Sequence, residues 1–372
     1  MEVKIHDSID KIEKSELDTF KNSSYSKEFY QFVEAENKDK VKPKYFLLYK
    51  ENKLRAFAPA FIQKSPISFD PEKYLAGRLF KLLKIFGLKI NSSLIVHTPY
   101  RLRSDIISTG EGEKKAILNE IIKESKRTGC NGIIFPYVLE TNKEADTLLI
   151  KNGFIKTFID ANFYLDINFN SFEEFLKSFT KHRRRQYRYA NNIFHRYNSK
   201  IVDIQDIDKF AKILSQLHKK LMEKYGHSNV EMTEESFINF YRYIKNIDGF
   251  YAEENNNILG FVINFYEDEV YHVFRCSQDY NLTENRLVYF YLVYNETIRR
   301  AIQLGCKKID YGFAAHKTKL LRGCKYEKAY IYFKFFNPIF HNLLKFKIKH
   351  LGKCYYSSFL NEIDYSKEDN AQ

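Results

Sequence analysis

Apolar residues recur along this chain with two periods, and the switches between them outline its elements. KYFLLYK (44–50) and LRAFAPAFIQ (54–63), parted by the turn ENK, read as a strand hairpin. The opening KIHDSIDKI reads as a short strand turning into a helix capped by Asp7 or Ser8, and 26–37 reads as helical. SLIVHTPYRL (93–102) is a further strand, and EGEKKAILNEIIKESKRT (111–128) is an amphipathic helix ended by Gly129. CNGIIFPYV then reads as a buried strand, TNKEADTLLIKNGF as a short helix closing at Gly153, and IDANFYLDI (159–167) as a final strand. Residues 291–333 repeat this alternation: helix, tight turn, buried strand, polar loop, short helix, closing strand.

The two halves match in order. At a shift of 176, Asn119, Glu120, Ile122, Gly129 and Cys130 meet Asn295, Glu296, Ile298, Gly305 and Cys306. At a shift of 170, Ile150 and Gly153 meet Leu320 and Gly323, although Leu149 falls on the charged Lys319. At 204, Leu54, Ala56, Phe57 and Phe61 meet Ile258, Gly260, Phe261 and Phe265; at 198, Ile9–Ile12 meets Ile207–Phe210. The shift falls from 204 to 176, so the first copy carries about 28 extra residues. That insertion holds YLAGRLFKLLKIFGL (74–88), a basic amphipathic run fit either to pack on its own domain or to lie on an anionic membrane. The expectation is one α/β unit used twice, with domains at 1–168 and 169–372.

Between the copies, Ser171 and Glu174 form a capping-box pattern, and Phe172, Phe175, Leu176 and Phe179 make an apolar face. The following KHRRRQYR (181–188) is phosphate- or nucleic-acid-like in character, or equally a solvated helix.

Totals add bounds. A chain of 372 residues, 44% hydrophobic and 16% aromatic, buries sizeable cores and more often makes two domains than one. A net charge of +13 fits anionic partners such as a nucleotide-bearing donor, RNA or an anionic membrane surface, or equally a generic solvated surface set by a Lys/Glu-rich composition. Five cysteines without paired CxxC spacing read as reduced thiols, with Cys130 and Cys306 buried at helix-to-strand turns. No metal-ligand spacing or Ser-His-Asp arrangement stands out. MEVKIHDSID has no apolar signal core and no run reaches the roughly 18 apolar residues of a spanning helix, so a cytoplasmic protein is expected.

Particular residues now carry a resemblance. SFTKHRRRQYRYA (178–190) looks like a basic SKKxRRxxRRA helix. RLVYFYLVYNETIRRAIQLGCKKIDYG (286–312) looks like a long helix, Gly turn and xxDxG strand, and HKTKLLRGCKYEKAYIYF (316–333) like a His-Lys loop before Arg-Gly and the last strand. Together they resemble the FemAB-like branch of the GNAT superfamily. That branch includes aminoacyl-tRNA-dependent peptidoglycan peptide-bridge enzymes and acyl-CoA-type acyltransferases. The resemblance implies an α/β (α+β) fold of two tandem GNAT-like domains, each a mixed twisted sheet flanked by helices. It also implies transfer of an acyl or aminoacyl group from a thioester or ester to a small-molecule or peptide amine. The donor stays open between acyl-CoA, a carrier protein and tRNA, and a non-enzymatic degenerate binding module is the contrasting reading. One departure bears on the donor: the loop that carries Arg/Gln-x-x-Gly-x-Gly/Ala in acetyl-CoA enzymes is here CSQDYNLTENRL (276–287), without glycine.

The resemblance implies two central strands that splay apart, here VYHVFRC (270–276) and KKIDYGF (307–313). His272 is a candidate base or a structural strand histidine, and Asp310 a candidate base, an amine-orienting group or a loop anchor. Lys317 joins them as a candidate catalytic residue. Arg275, Arg286, Tyr311, Gly312, His316 and Arg322 are the candidates for holding the donor or stabilising developing negative charge. The first copy has Ile134-Phe135-Pro136 where the second has Asp310-Tyr311-Gly312, so it is expected to be silent.

Overall fold

The computed structural model describes residues 1–20, 26–63, 92–226 and 231–368, together with 65, 69–75, 77, 81 and 85. Its strands in chain order are β1 (Glu2–His6), β2 (Val41–Lys50), β3 (Lys53–Gln63), β4 (Ser93–Val96), β5 (Ile107–Ser108), β6 (Gly132–Leu139), β7 (Ile155–Asp166), β8 (Lys200–Asp203), β9 (Ile247–Glu254), β10 (Asn257–Glu267), β11 (Val270–Gln278), β12 (Lys308–Gly312) and β13 (Lys325–Phe335). The chain divides into two compact units. One is Met1–Ala161 with Glu327–Asn361; the other is Asn162–Tyr326 with Glu362–Gln372. The expected division at 168/169 therefore does not separate them, because most of β13 and of the long helix Pro338–Glu368 groups with the first unit.

The first unit orders its sheet β1-β2-β3-β4-β6-β13-β7, with β5 on β3. Strands β4 and β6 pair in parallel, through Ser93↔Gly132, Leu94↔Ile133 and Ile95↔Ile134. Helix Glu111–Arg127 turns Ile117, Leu118 and Ile121 onto one side of this sheet, against Leu48, Leu94 and Ile133. Leu344 and Ile348 of helix Pro338–Glu368 join Ile95, Ile134 and Phe333 in another cluster. Each such fully buried aliphatic side chain contributes about 1.5–3 kcal/mol. The expected strand at 93–102 is real only as far as Val96; Thr98 bridges Arg103 and the chain turns back. Tyr74 and Leu75, at the start of the amphipathic 74–88 run, are core residues, whereas most of that run lies outside the described residues.

The second unit orders its sheet β7-β12-β11-β10-β9-β8, with the last residues of β7 as its edge. Again one pair is parallel: β11 meets β12 through Val270↔Lys308, Tyr271↔Ile309 and His272↔Asp310. Half of the expected capping box is present: Ser171 accepts the Glu174 N–H at 3.1 Å, while the Glu174 carboxylate accepts the Asn170 N–H at 3.0 Å rather than that of Ser171. Thr180 caps the basic helix Lys181–Arg196, whose Tyr187, Ala190, Ile193 and Phe194 are buried. Long helix 288–303 is α-helical at both ends and π-helical over Tyr291–Glu296. The wider turn buries five consecutive residues, Tyr291–Asn295, which an α-helix on a sheet surface does not do. Asn295 uses its place there to donate to the Tyr187 backbone carbonyl at 2.9 Å, fixing the basic helix.

Candidate functional site

The site is built where the parallel ladder of the second unit stops. His272 and Asp310 are its last pair; beyond them β11 runs on to Gln278 beside β10, while β12 bends at Gly312 and pairs β7. His272 Nδ1 lies 3.4 Å from Asp310 Oδ2. The imidazole is 9% exposed and stacks on Phe265 at 5.0 Å between centroids. Asp310 also accepts the Gly312 N–H at 3.0 Å through its other oxygen. Those contacts set the ring and the carboxylate in fixed mutual orientation.

The loop after β12 is conformationally costly. Gly312, Ala314 and Ala315 all have left-handed φ, at 65°, 63° and 52°. Glycine takes this freely, but each alanine costs about 1 kcal/mol. Lys319 holds the loop: its ammonium, buried at 5% exposure, donates to the Gly312 carbonyl at 2.9 Å and the Phe313 carbonyl at 2.7 Å. Lys317, the candidate named from sequence, sits half-buried in the first turn of helix His316–Leu321. Lys319 was missed, yet its signal was in the repeat: it falls where the first copy has the buried Leu149.

Tyr311 points to the opposite face of β12 from Asp310, as alternate strand residues must. It is buried against Tyr294 of the π-helical turn, ring centroids 5.2 Å apart, and its hydroxyl has no hydrogen-bond partner. Arg322 completes this face. It is 8% exposed, with its guanidinium 4.8 Å from the Phe290 ring, 5.1 Å from Tyr187 and 5.7 Å from Tyr294. Among the described residues no carboxylate pairs with it, and Nη1 makes no hydrogen bond. Burial accordingly weakens its hold on its proton. Tyr187 donates its hydroxyl to the Arg322 backbone carbonyl at 2.8 Å, and the Phe179 ring packs on Gly323, where a β-carbon would fall 2.6 Å from it. Burial pushes the Cys324 thiol up to about 12 and Cys276 to about 11, so both are inert thiols.

Other sequence candidates are committed elsewhere. Arg286 is ion-paired to Glu254 and lies over Tyr197. His316 binds Glu362 through Nδ1 at 2.7 Å and stacks on Phe163. Arg275 covers the Phe274 ring and donates to its carbonyl at 2.7 Å. The candidates of β12 and the loop after it are thus split over two faces, with Arg322 buried. In the glycine-free loop, Gln278 Oε1 accepts the Tyr289 N–H at 3.1 Å, occupying a donor at the start of helix 288–303. Among the described residues no group of three or more His, Cys, Asp or Glu is placed to hold a metal ion, and no helix is long and apolar enough to cross a membrane.

A mixed sheet flanked by helices, with a short central parallel ladder, is a GNAT-like fold, and this chain has that fold. Residues 91–358 match the FemAB-like family, described as peptidoglycan biosynthesis/recognition; the chain belongs to that family and is a transferase. Among solved structures it is similar to FemX, at 11% identity, TM-score 0.62, and 93% and 100% of the two chains covered. It is similar also to L-PGS from Bacillus licheniformis, at 11% identity, TM-score 0.54 and 90% and 97% coverage. A third is the C-terminal domain of a putative lysylphosphatidylglycerol synthetase from Agrobacterium fabrum, at 9% identity, TM-score 0.53 and 85% and 89% coverage. No curated protein matches the sequence.

Proposed function

We infer that this enzyme moves an acyl or aminoacyl group from an ester or thioester donor to an amine, using the end of the β11–β12 ladder. The observation that carries the reading is the His272–Asp310 pair at that point. With the Nδ1 proton held toward Asp310, the imidazole keeps its basic lone pair at Nε2 and takes the proton released as the amine attacks the donor carbonyl. Asp310 stabilises the imidazolium so formed, which gives the proton to the departing hydroxyl or thiol as the donor's ester or thioester bond breaks. Arg322, a buried cation without a carboxylate, holds an anionic group of the donor on the other face of β12. The left-handed loop pinned by Lys319 fixes the strand end that carries Asp310. The first unit is a duplicate of this scaffold without the reactive groups. The test offers the protein a pool of labelled aminoacyl-tRNAs, then acyl-CoA thioesters, each with a peptide bearing free amines. Amide formation from one donor that disappears in His272→Gln supports the reading, and equal formation by that variant removes it.

Specific observations favour an aminoacyl-tRNA donor over CoA. The loop at 276–287 has no glycine, Gln278 occupies the Tyr289 N–H, and Glu254 neutralises Arg286, so this helix start does not suit a pyrophosphate. The basic helix meanwhile exposes Lys181, Arg185, Arg188 and Arg196 on one side. Filter binding of tRNA that weakens steeply with salt is the expected result; no binding at low salt rejects this donor.

A further inference from the structure

Helix Pro338–Glu368 has a role that the transfer site does not use. Its inner side is core: Leu344 and Ile348 are fully buried, and Lys347 donates to the Leu75 carbonyl at 2.5 Å. Its outer side exposes Ile339 (66%), Leu343 (47%) and Phe346 (78%), spaced i, i+4 and i+7 in one stripe. Single exposed apolar side chains need no explanation, but an aligned row that ends on a phenylalanine marks a contact surface. Lys345, Lys349 and Lys353 are exposed along one border of that stripe, His350 continues it, and no Asp or Glu occurs from 338 to 361. The apolar stripe spans roughly 10 Å along the helix, and the lysine border extends the face to roughly 20 Å.

We propose that this face of the first unit lies on an anionic lipid surface, with Ile339, Leu343 and Phe346 entering the headgroup boundary and the three lysines meeting lipid phosphates. The chemistry is that of an interfacial amphipathic helix: a narrow apolar edge bordered by cations, too short in apolar length to span. A second copy of the chain fits worse, since it sets two acid-free, lysine-bordered faces against each other. Co-sedimentation of the full chain with vesicles decides the matter. Binding to phosphatidylcholine vesicles doped with phosphatidylglycerol, absent with phosphatidylcholine alone and weakened by salt, is expected. Leu343→Ser with Phe346→Ser lowers the bound fraction about tenfold, and Lys345→Glu with Lys349→Glu and Lys353→Glu abolishes binding. Both variants keep the thermal melt of the parent, since all five positions are exposed. No binding to anionic vesicles, equal binding to neutral ones, or variants that bind like the parent would overturn the proposal. So would a parent dimer that the Leu343→Ser, Phe346→Ser variant converts to monomer.

Discussion

In the first unit the parallel ladder ends with Ile95 against Ile134; in the second it ends with His272 against Asp310. Both ladders have three pairs, and the turns that follow are also alike. Phe154 donates its N–H to Leu149 and Gly153 to Ile150, at 3.1 and 2.9 Å; Cys324 does so to Lys319 and Gly323 to Leu320, at 3.0 and 2.9 Å. On these matched backbones the side chains diverge. Ile95 and Ile134 are sealed under Leu344 and Ile348, and Ser104 donates to the Pro136 and Tyr137 carbonyls at the far end of β6. His272 and Asp310 instead retain a polar pair, and Lys319 stands where Leu149 is core. The two ladder ends thus differ at about three positions: packed apolar side chains in the first unit, and in the second the polar groups to which we assign the chemistry.

The largest effect is expected at the ladder end. His272→Gln lowers the rate of amide formation 10²–10⁴-fold, about 3–5 kcal/mol, as removal of a positioned base does; Ile95→Gln leaves the chemical step alone and lowers the melt instead. Exchanging the next matched pair separates scaffold from site further. Lys319→Leu leaves the Gly312 and Phe313 carbonyls unsatisfied and destabilises by about 2–3 kcal/mol in urea unfolding, while Leu149→Lys, which buries an unpaired charge, destabilises by about 3–5 kcal/mol. Arg322→Met removes a buried cation that no acid offsets. It leaves stability unchanged or raised by about 1 kcal/mol while transfer is lost; a large drop in stability with transfer retained would make Arg322 structural.

The smallest effect concerns histidines that are core. Burial drops His97, at the end of β4, to a pKa of about 3, and His218 likewise to about 3, from 6.5. Between those values the unfolded chain binds more protons than the folded one. Stability is therefore lost as pH falls below about 6.5, by up to about 1.4 kcal/mol per pH unit for each histidine. His97→Phe should flatten the pH dependence of the melt, and an unchanged slope would show that His97 titrates normally.

Much of the scaffold was legible because it is local. Strands β2 and β3, helix Glu111–Arg127 and the Ser171 cap follow from period, turn and capping residues. His272 and Asp310 were legible as candidates because both fell on strands expected to diverge. What escaped is non-local. The burial of Arg322 depends on a π-helical turn bringing Tyr294 and Phe290 beside Tyr187, and no spacing rule reports that. The grouping of 327–361 with the first unit escaped because the repeated alternation ends at residue 333, while Leu344 and Ile348 pack with residues of strands far earlier in the chain.

If His272 acts as base with Asp310 behind it, the two residues work as one unit. A double-mutant cycle of His272→Gln, Asp310→Asn and the pair together, read as the rate of amide formation, tests it most directly. Each single change should lower the rate at least about 10²-fold, and the double variant should be no slower than the slower single. Rates that fall additively, or an Asp310→Asn enzyme as fast as the parent, would contradict it.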